Sequence, residues 1–327
     1  MRKLTRRSIL VRSAVAAAAF AAACTVGLGP VLAAEKLNVV ATSGYIADAI
    51  RNVGGDHVTV KTLLGPGVDP HLYRQTSSDI ALATKADVVF WHGLHLEAQL
   101  LSFLEGLAVR KPVIALAESV PKDQLLSADA DAALPDPHIW FDPRLWVHVV
   151  EAARDSLIRL CPEGKADFEV NAQRYLAEIS KIADYASASL ASVPASSRVL
   201  VTAHDAFNYF GRAYQFEVAG IQGISTESEA GLRRIEELVD MLVKRNIGAI
   251  FVESSVSDRN VKALIEGAAA KGHKVVVGGE LFSDATGEAG TYEGTYIGVI
   301  DHNATIITRA LGGGAPEKGI SGQLAGM

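Results

Sequence analysis

The 327-residue chain is long enough for two domains, and with 49% hydrophobic and 21% charged residues it reads as globular rather than disordered. Its formal charge is −6, but residues 1–34 hold five of the 31 basic residues and no acid, so the remainder carries 26 basic against 37 acidic residues. That net of −11 argues against a nucleic-acid partner, and Cys161, the only cysteine beyond Cys24, permits neither an internal disulfide nor a multi-thiolate metal site in that remainder.

In chain order, residues 1–34 predict an export signal. Arg2 to Arg12 form a basic region, Ser13 to Cys24 a short Ala-rich apolar run, and Val31-Leu32-Ala33 a cleavage site before Ala34-Glu35. The run is too short and too Ala-rich for a membrane anchor. Thr5-Arg6-Arg7-Ser8-Ile9-Leu10 also fits a twin-arginine signal. Ala21-Ala22-Ala23-Cys24 faintly resembles a lipoprotein box without its usual Leu, so cleavage near Ala33 is favoured over a lipid anchor at Cys24. A periplasmic location follows.

The next segments alternate. Leu37–Thr42 predicts a strand, and Ser43 caps a helix that ends at Gly54-Gly55. Val58–Leu64 predicts a second strand, Ser77 or Ser78 the cap of the next helix, and Ala86–Phe90 a third strand. A helix through Leu100, Leu101 and Leu104 and a strand over Pro112–Leu116 follow. Such alternation predicts a parallel sheet with helices on both faces. Leu145, Val149, Ala152, Ala153 and Leu157 then have helical spacing, and Pro162-Glu163-Gly164 interrupts it. From Ala166 to Leu190 no Pro or Gly occurs, which predicts a helix of about 25 residues, about 38 Å long at roughly 1.5 Å per residue. Beyond Pro194 the pattern restarts. Strands are expected over 198–203, 216–220, 249–252 and 274–277, with helices over 232–242 and 261–270 and a last one near 296–311.

Within this frame one stretch is unusual: Pro135-Asp136-Pro137-His138-Ile139-Trp140-Phe141-Asp142-Pro143. Three prolines fix φ repeatedly and keep the segment out of a helix. The same Asp-Pro-His tripeptide occurs at Asp69-Pro70-His71. A lone histidine is more often an ordinary hydrogen-bonding residue, but two with the same rigid presentation point to a metal site. His204 and Asp284 each follow a predicted strand, where open α/β sheets form their ligand crevice. His71, His138, His204 and Asp284 are therefore the candidate metal ligands. Three imidazoles and a carboxylate suit zinc, or manganese if the carboxylate uses both oxygens. Asp69, Asp136, Asp142 and Glu253 are candidates to orient the imidazoles, the alternative being loop or cap hydrogen bonds. His92 and His95 lack the Asp-Pro presentation and read as surface or supporting residues. His57, His148, His273 and His302 are isolated.

These motifs, with Thr202-Ala203-His204-Asp205-Ala206-Phe207, Glu253-Ser254-Ser255 and Glu280-Leu281-Phe282-Ser283-Asp284, resemble the solute-binding proteins of zinc/manganese ABC transporters, of the TroA type. The resemblance covers about residues 36–312. It implies an α/β fold of two lobes with parallel sheets flanked by helices, joined by one long rigid helix, with the metal buried between them. The expected parts are an export signal over 1–34, an N-terminal lobe over 35–163, the linking helix over 164–193, a C-terminal lobe over 194–312 and a mobile tail over 313–327. The implied ligands are the same four residues, one Zn2+ or Mn2+ per monomeric chain, and the implied partner is a membrane permease. The chain lacks a long His-rich loop before His138, common in dedicated zinc members, and has His204 where many manganese members carry Glu. A metal-dependent hydrolase and a surface adhesin of the same family are the rival readings. Four protein ligands close a tetrahedral site and favour binding over catalysis.

Overall fold

The computed structural model describes residues 35–128 and 134–324. The export segment and Cys24 lie outside the described residues, as does most of the short loop before Pro135.

In the N-terminal half, β1 (Leu37–Ala41), β2 (Val58–Thr62), β3 (Val88–Trp91) and β4 (Val113–Ala115) form one parallel sheet in the order β2-β1-β3-β4. The crossover helices are α1 (Gly44–Gly54), α2 (Ser77–Lys85) and α3 (Leu101–Ala108). Ser43 caps α1 as expected, its hydroxyl accepting from the Ile46 amide. The cap of α2 is Thr76, one residue before Ser77 and two before Ser78, the expected caps. Thr76 and Asp79 satisfy each other's free amides in a capping box, which a Ser at 77 or 78 could not do.

Asp142 caps α4 (Pro143–Leu160), with Pro143 in the first turn, where the missing N–H removes no helix bond. The linking helix α5 spans Lys165–Ala191, 27 residues. It buries Phe168, Ala172, Tyr175, Ile179, Ile182, Ala186 and Leu190 along one stripe, each large side chain contributing about 1.5–3 kcal/mol of burial.

The C-terminal half contains two parallel pairs, β5 (Val199–Thr202) with β6 (Glu217–Gly220) and β7 (Ala249–Glu253) with β8 (Val276–Leu281). Helices α7 (Leu232–Lys244), α8 (Arg259–Ala270) and α9 (Tyr296–Ala310) flank them. A short helix α6, Asn208–Tyr214, also forms directly after the His204 turn, where the sequence showed no periodic signal.

One apolar core runs from Val39 and Ile46 through Trp146 of α4 and Tyr175 of α5 to Tyr296, Val299 and Ile307 of α9. A second lies beneath β5, β7, α7 and α8. Beyond Gly312, Asp301 accepts from the Ile320 amide and the Ser321 hydroxyl.

Candidate metal centre

Each candidate ligand stands on a loop at a strand end or a helix start. His71 lies beyond β2, His138 four residues before the Asp142 cap of α4, His204 two residues beyond β5, and Asp284 three beyond β8. The structure brings all four together. One donor atom from each lies within 4.8 Å of every other, and all four residues are buried. His71 Nε2 is 3.4 Å from His138 Nε2 and 3.6 Å from Asp284 Oδ2. His138 Nε2 is 3.4 Å from Asp284 Oδ1, and His204 Nε2 is 3.2 Å from Oδ2. A tetrahedron with metal bonds of 2.0–2.1 Å has edges of about 3.3–3.4 Å, so these separations suit a four-coordinate cation.

The hydrogen bonds behind the rings set their direction. Asp136 Oδ1 accepts from His138 Nδ1 at 2.7 Å, and Glu253 Oε2 accepts from His204 Nδ1 at 2.5 Å. In the neutral rings this leaves both Nε2 atoms bare and turned inward. The same carboxylates accept from the backbone amides of His138 and His204, which fixes ring and backbone together. Asp69 holds the His71 backbone rather than its ring, accepting from the His71 amide at 2.8 Å. Asp142 is the exception among the orienting candidates. It caps α4 and pairs with Arg144, and makes no contact with a ligand ring.

In that form the bare Nε2 atoms of His138 and His204 face the two oxygens of Asp284, with His71 Nε2 beside them. His204 Nε2 and both oxygens of Asp284 are buried without a hydrogen-bond partner, a costly arrangement for a protein alone. A cation resolves it. Without one, protons would compete. Burial works against a charge on His138, but Asp136 and Asp284 outweigh it and hold the ring up at about 9. Burial opposes a charge on His204 too, and Asp284 and Glu253 raise it well above the usual range. Burial lowers His71 to about 3 despite Asp284.

His92 is a supporting residue, fully buried rather than on the surface. Its Nε2–H donates to the Pro137 carbonyl at 2.8 Å, directly before His138, and its amide donates to Glu97. Glu97 also accepts from Thr42 and from the Gly93 amide, which secures the turn. Period-based reading could not find this role, because the partner is a backbone carbonyl. His95 is exposed, with φ 63°. Among the described residues His57, His148, His273 and His302 do not join the cluster.

Two α/β halves joined by a long helix and enclosing a His3Asp cluster define a two-lobed solute-binding protein. Residues 39–310 match the family described as zinc-uptake complex component A, periplasmic (ZnuA), and the chain belongs to that family. It is 46% identical over 277 residues to the manganese-binding lipoprotein MntA of Bacillus subtilis, covering 85% of this chain and 90% of that protein. It is also 46% identical over 273 residues to the zinc-binding protein TroA of Treponema pallidum, covering 84% and 88%. The solved structure of the periplasmic zinc-binding protein TroA superposes with a TM-score of 0.82 at 45% identity, over 85% of this chain and 99% of that one. Among the described residues no helix is long and apolar enough to cross a membrane.

Proposed function

We propose that this chain is an extracytoplasmic solute-binding protein that captures one zinc or manganese ion between its lobes and hands it to the membrane permease of an ABC transporter. His71, His138, His204 and Asp284 are the ligands. The observation that carries the reading is the convergence of four buried ligand groups, with His204 Nε2 and both Asp284 oxygens left without a hydrogen-bond partner. The names of MntA and TroA, one manganese-binding and one zinc-binding, support both ions as cargo. The protein acts as a monomer in the periplasm, with its export segment cleaved near Ala33. It is not an enzyme in this reading, because four protein ligands leave no open coordination position for a reacting water.

Isothermal titration of metal-free protein with each ion tests this. One ion per chain is expected, with zinc tighter than manganese, as three imidazoles and the usual affinity order favour. Two tightly held ions per chain, or none, would overturn the assignment.

A further inference from the structure

Asp284 belongs by sequence to the C-terminal half, yet the peptide before it is held by the N-terminal half. The Ser283 carbonyl accepts two hydrogen bonds, from the Tyr45 hydroxyl at 2.8 Å and from the Trp140 indole N–H at 3.0 Å. Both donors are buried, and their rings stack with centroids 5.0 Å apart, so neither can swing away alone. Just past Asp284, the chain presses on α1: a Cβ added at Gly44 would lie 2.2 Å from Thr286 Oγ1. Outside the cluster the Asp284 carboxylate has no hydrogen-bond partner. Its direction is therefore set by its backbone and by the imidazoles it faces. That backbone aims Oδ1 at His138 and Oδ2 at His204 and His71, so both oxygens face the cluster.

We propose that Tyr45 and Trp140 are positioning residues that aim Asp284 through the Ser283 carbonyl, and that by holding both carboxylate oxygens toward the site they set how well manganese competes with zinc. The inference rests on the metal-binding reading above. Zinc is satisfied by one carboxylate oxygen in a tetrahedral set. Manganese favours oxygen ligands and a larger coordination number, so it gains more from having both oxygens in place. Releasing the carbonyl lets the carboxylate turn, and the ion that needs both oxygens loses more.

The test measures zinc and manganese affinity of metal-free wild type, Tyr45→Phe, Trp140→Phe and Asp284→Ala, and of Tyr45→Phe combined with Asp284→Ala. Tyr45→Phe should weaken manganese binding about tenfold, within the usual range for partners behind a ligand, and zinc binding by clearly less. Trp140→Phe should shift the preference in the same direction. In the Asp284→Ala background Tyr45→Phe should change neither affinity further, because the group it aims is gone. Tyr175→Phe supplies the structural control. It removes another buried hydroxyl of the same core, bonded to Asp48 at 2.6 Å, and should lower Tm without moving the zinc-to-manganese ratio. Equal losses for both ions, no loss, or additive losses with Asp284→Ala would overturn the inference while leaving the metal site standing. A wild-type protein that binds neither ion would overturn the site itself and this inference with it.

Discussion

Thr226 and Asp69 meet across the two halves: the threonine hydroxyl donates to Asp69 Oδ2 at 2.5 Å, while Oδ1 of the same carboxylate holds the His71 amide. One carboxylate thus links a loop of the C-terminal half to the backbone of a candidate ligand in the N-terminal half. Beside it Gln99 donates to Glu227 at 2.5 Å, a second contact between the same halves. Thr226→Val keeps the shape and removes the hydroxyl. It should speed metal dissociation by about tenfold, for roughly 1.4 kcal/mol of lost closure, just under the usual range for a hydrogen bond to a charged group. Stopped-flow chelator competition reads the rate. An unchanged rate would show that the contact does not hold the halves together.

Alanine at His71, His138, His204 or Asp284 should each reduce affinity by more than about a hundredfold, beyond the usual cost of losing a partner behind a ligand. Glu253→Gln should fall within that smaller cost, about 10–100-fold, since the amide can still accept from His204 Nδ1 but without the charge. His95→Ala should have no effect. Thermal melts with excess metal give the same ranking independently, because an ion that binds only the folded chain adds about 2.7 kcal/mol at a hundredfold excess over Kd. Wild-type affinity in any two of the four ligand variants would remove them from the site.

Metal binding should be strongly pH-dependent and should release protons. An ordinary imidazole competes for protons only below about 6.5. Here Asp136 and Asp284 hold His138 up at about 9, and Asp284 and Glu253 raise His204 well above its usual range, so both rings hold a proton against the metal at neutral pH. Metal must displace those protons. Affinity should therefore climb as pH rises from about 5 toward 9 and be lost in the opposite direction. Titration calorimetry in buffers of different ionisation enthalpy should count about two protons released near neutral pH. Release of none would contradict Asp284, with Asp136 and Glu253, as the source of the raised values.

Asp142→Ala should act on folding alone. The carboxylate caps α4 and grips Arg144, so its loss should lower stability by about 1–2 kcal/mol while one metal ion still binds. Urea unfolding gives the first quantity and titration the second. A variant that keeps its stability but loses the metal would return Asp142 to the site.

Much of this arrangement is legible in the sequence. The Asp-Pro-His repeats presented His71 and His138 because proline stiffness is a local property, and the alternating elements followed from hydrophobic period. The parts that were not legible depend on contacts between distant groups. Asp142 looked like Asp136, since both precede a proline, but one starts a helix and the other turns back onto a ring. Helix α6 has only seven residues, too few for a period to register. Ser283 contributes a carbonyl, which no side-chain pattern can reveal. His92 works the same way, through the carbonyl of Pro137.

The core that starts beneath β1 passes through α4 and α5 and continues into Tyr296, Val299 and Ile307 of α9 without a break. Tyr296 adds polar ties to the same body, its hydroxyl donating to the Trp140 carbonyl and its amide to Asp48. Neither half can therefore pull away along this core without exposing side chains of the other. Calorimetry should show a single cooperative endotherm rather than two, and chelation should move that whole peak instead of splitting it. To the cell's proteases, the metal-free receptor would present one all-or-none target.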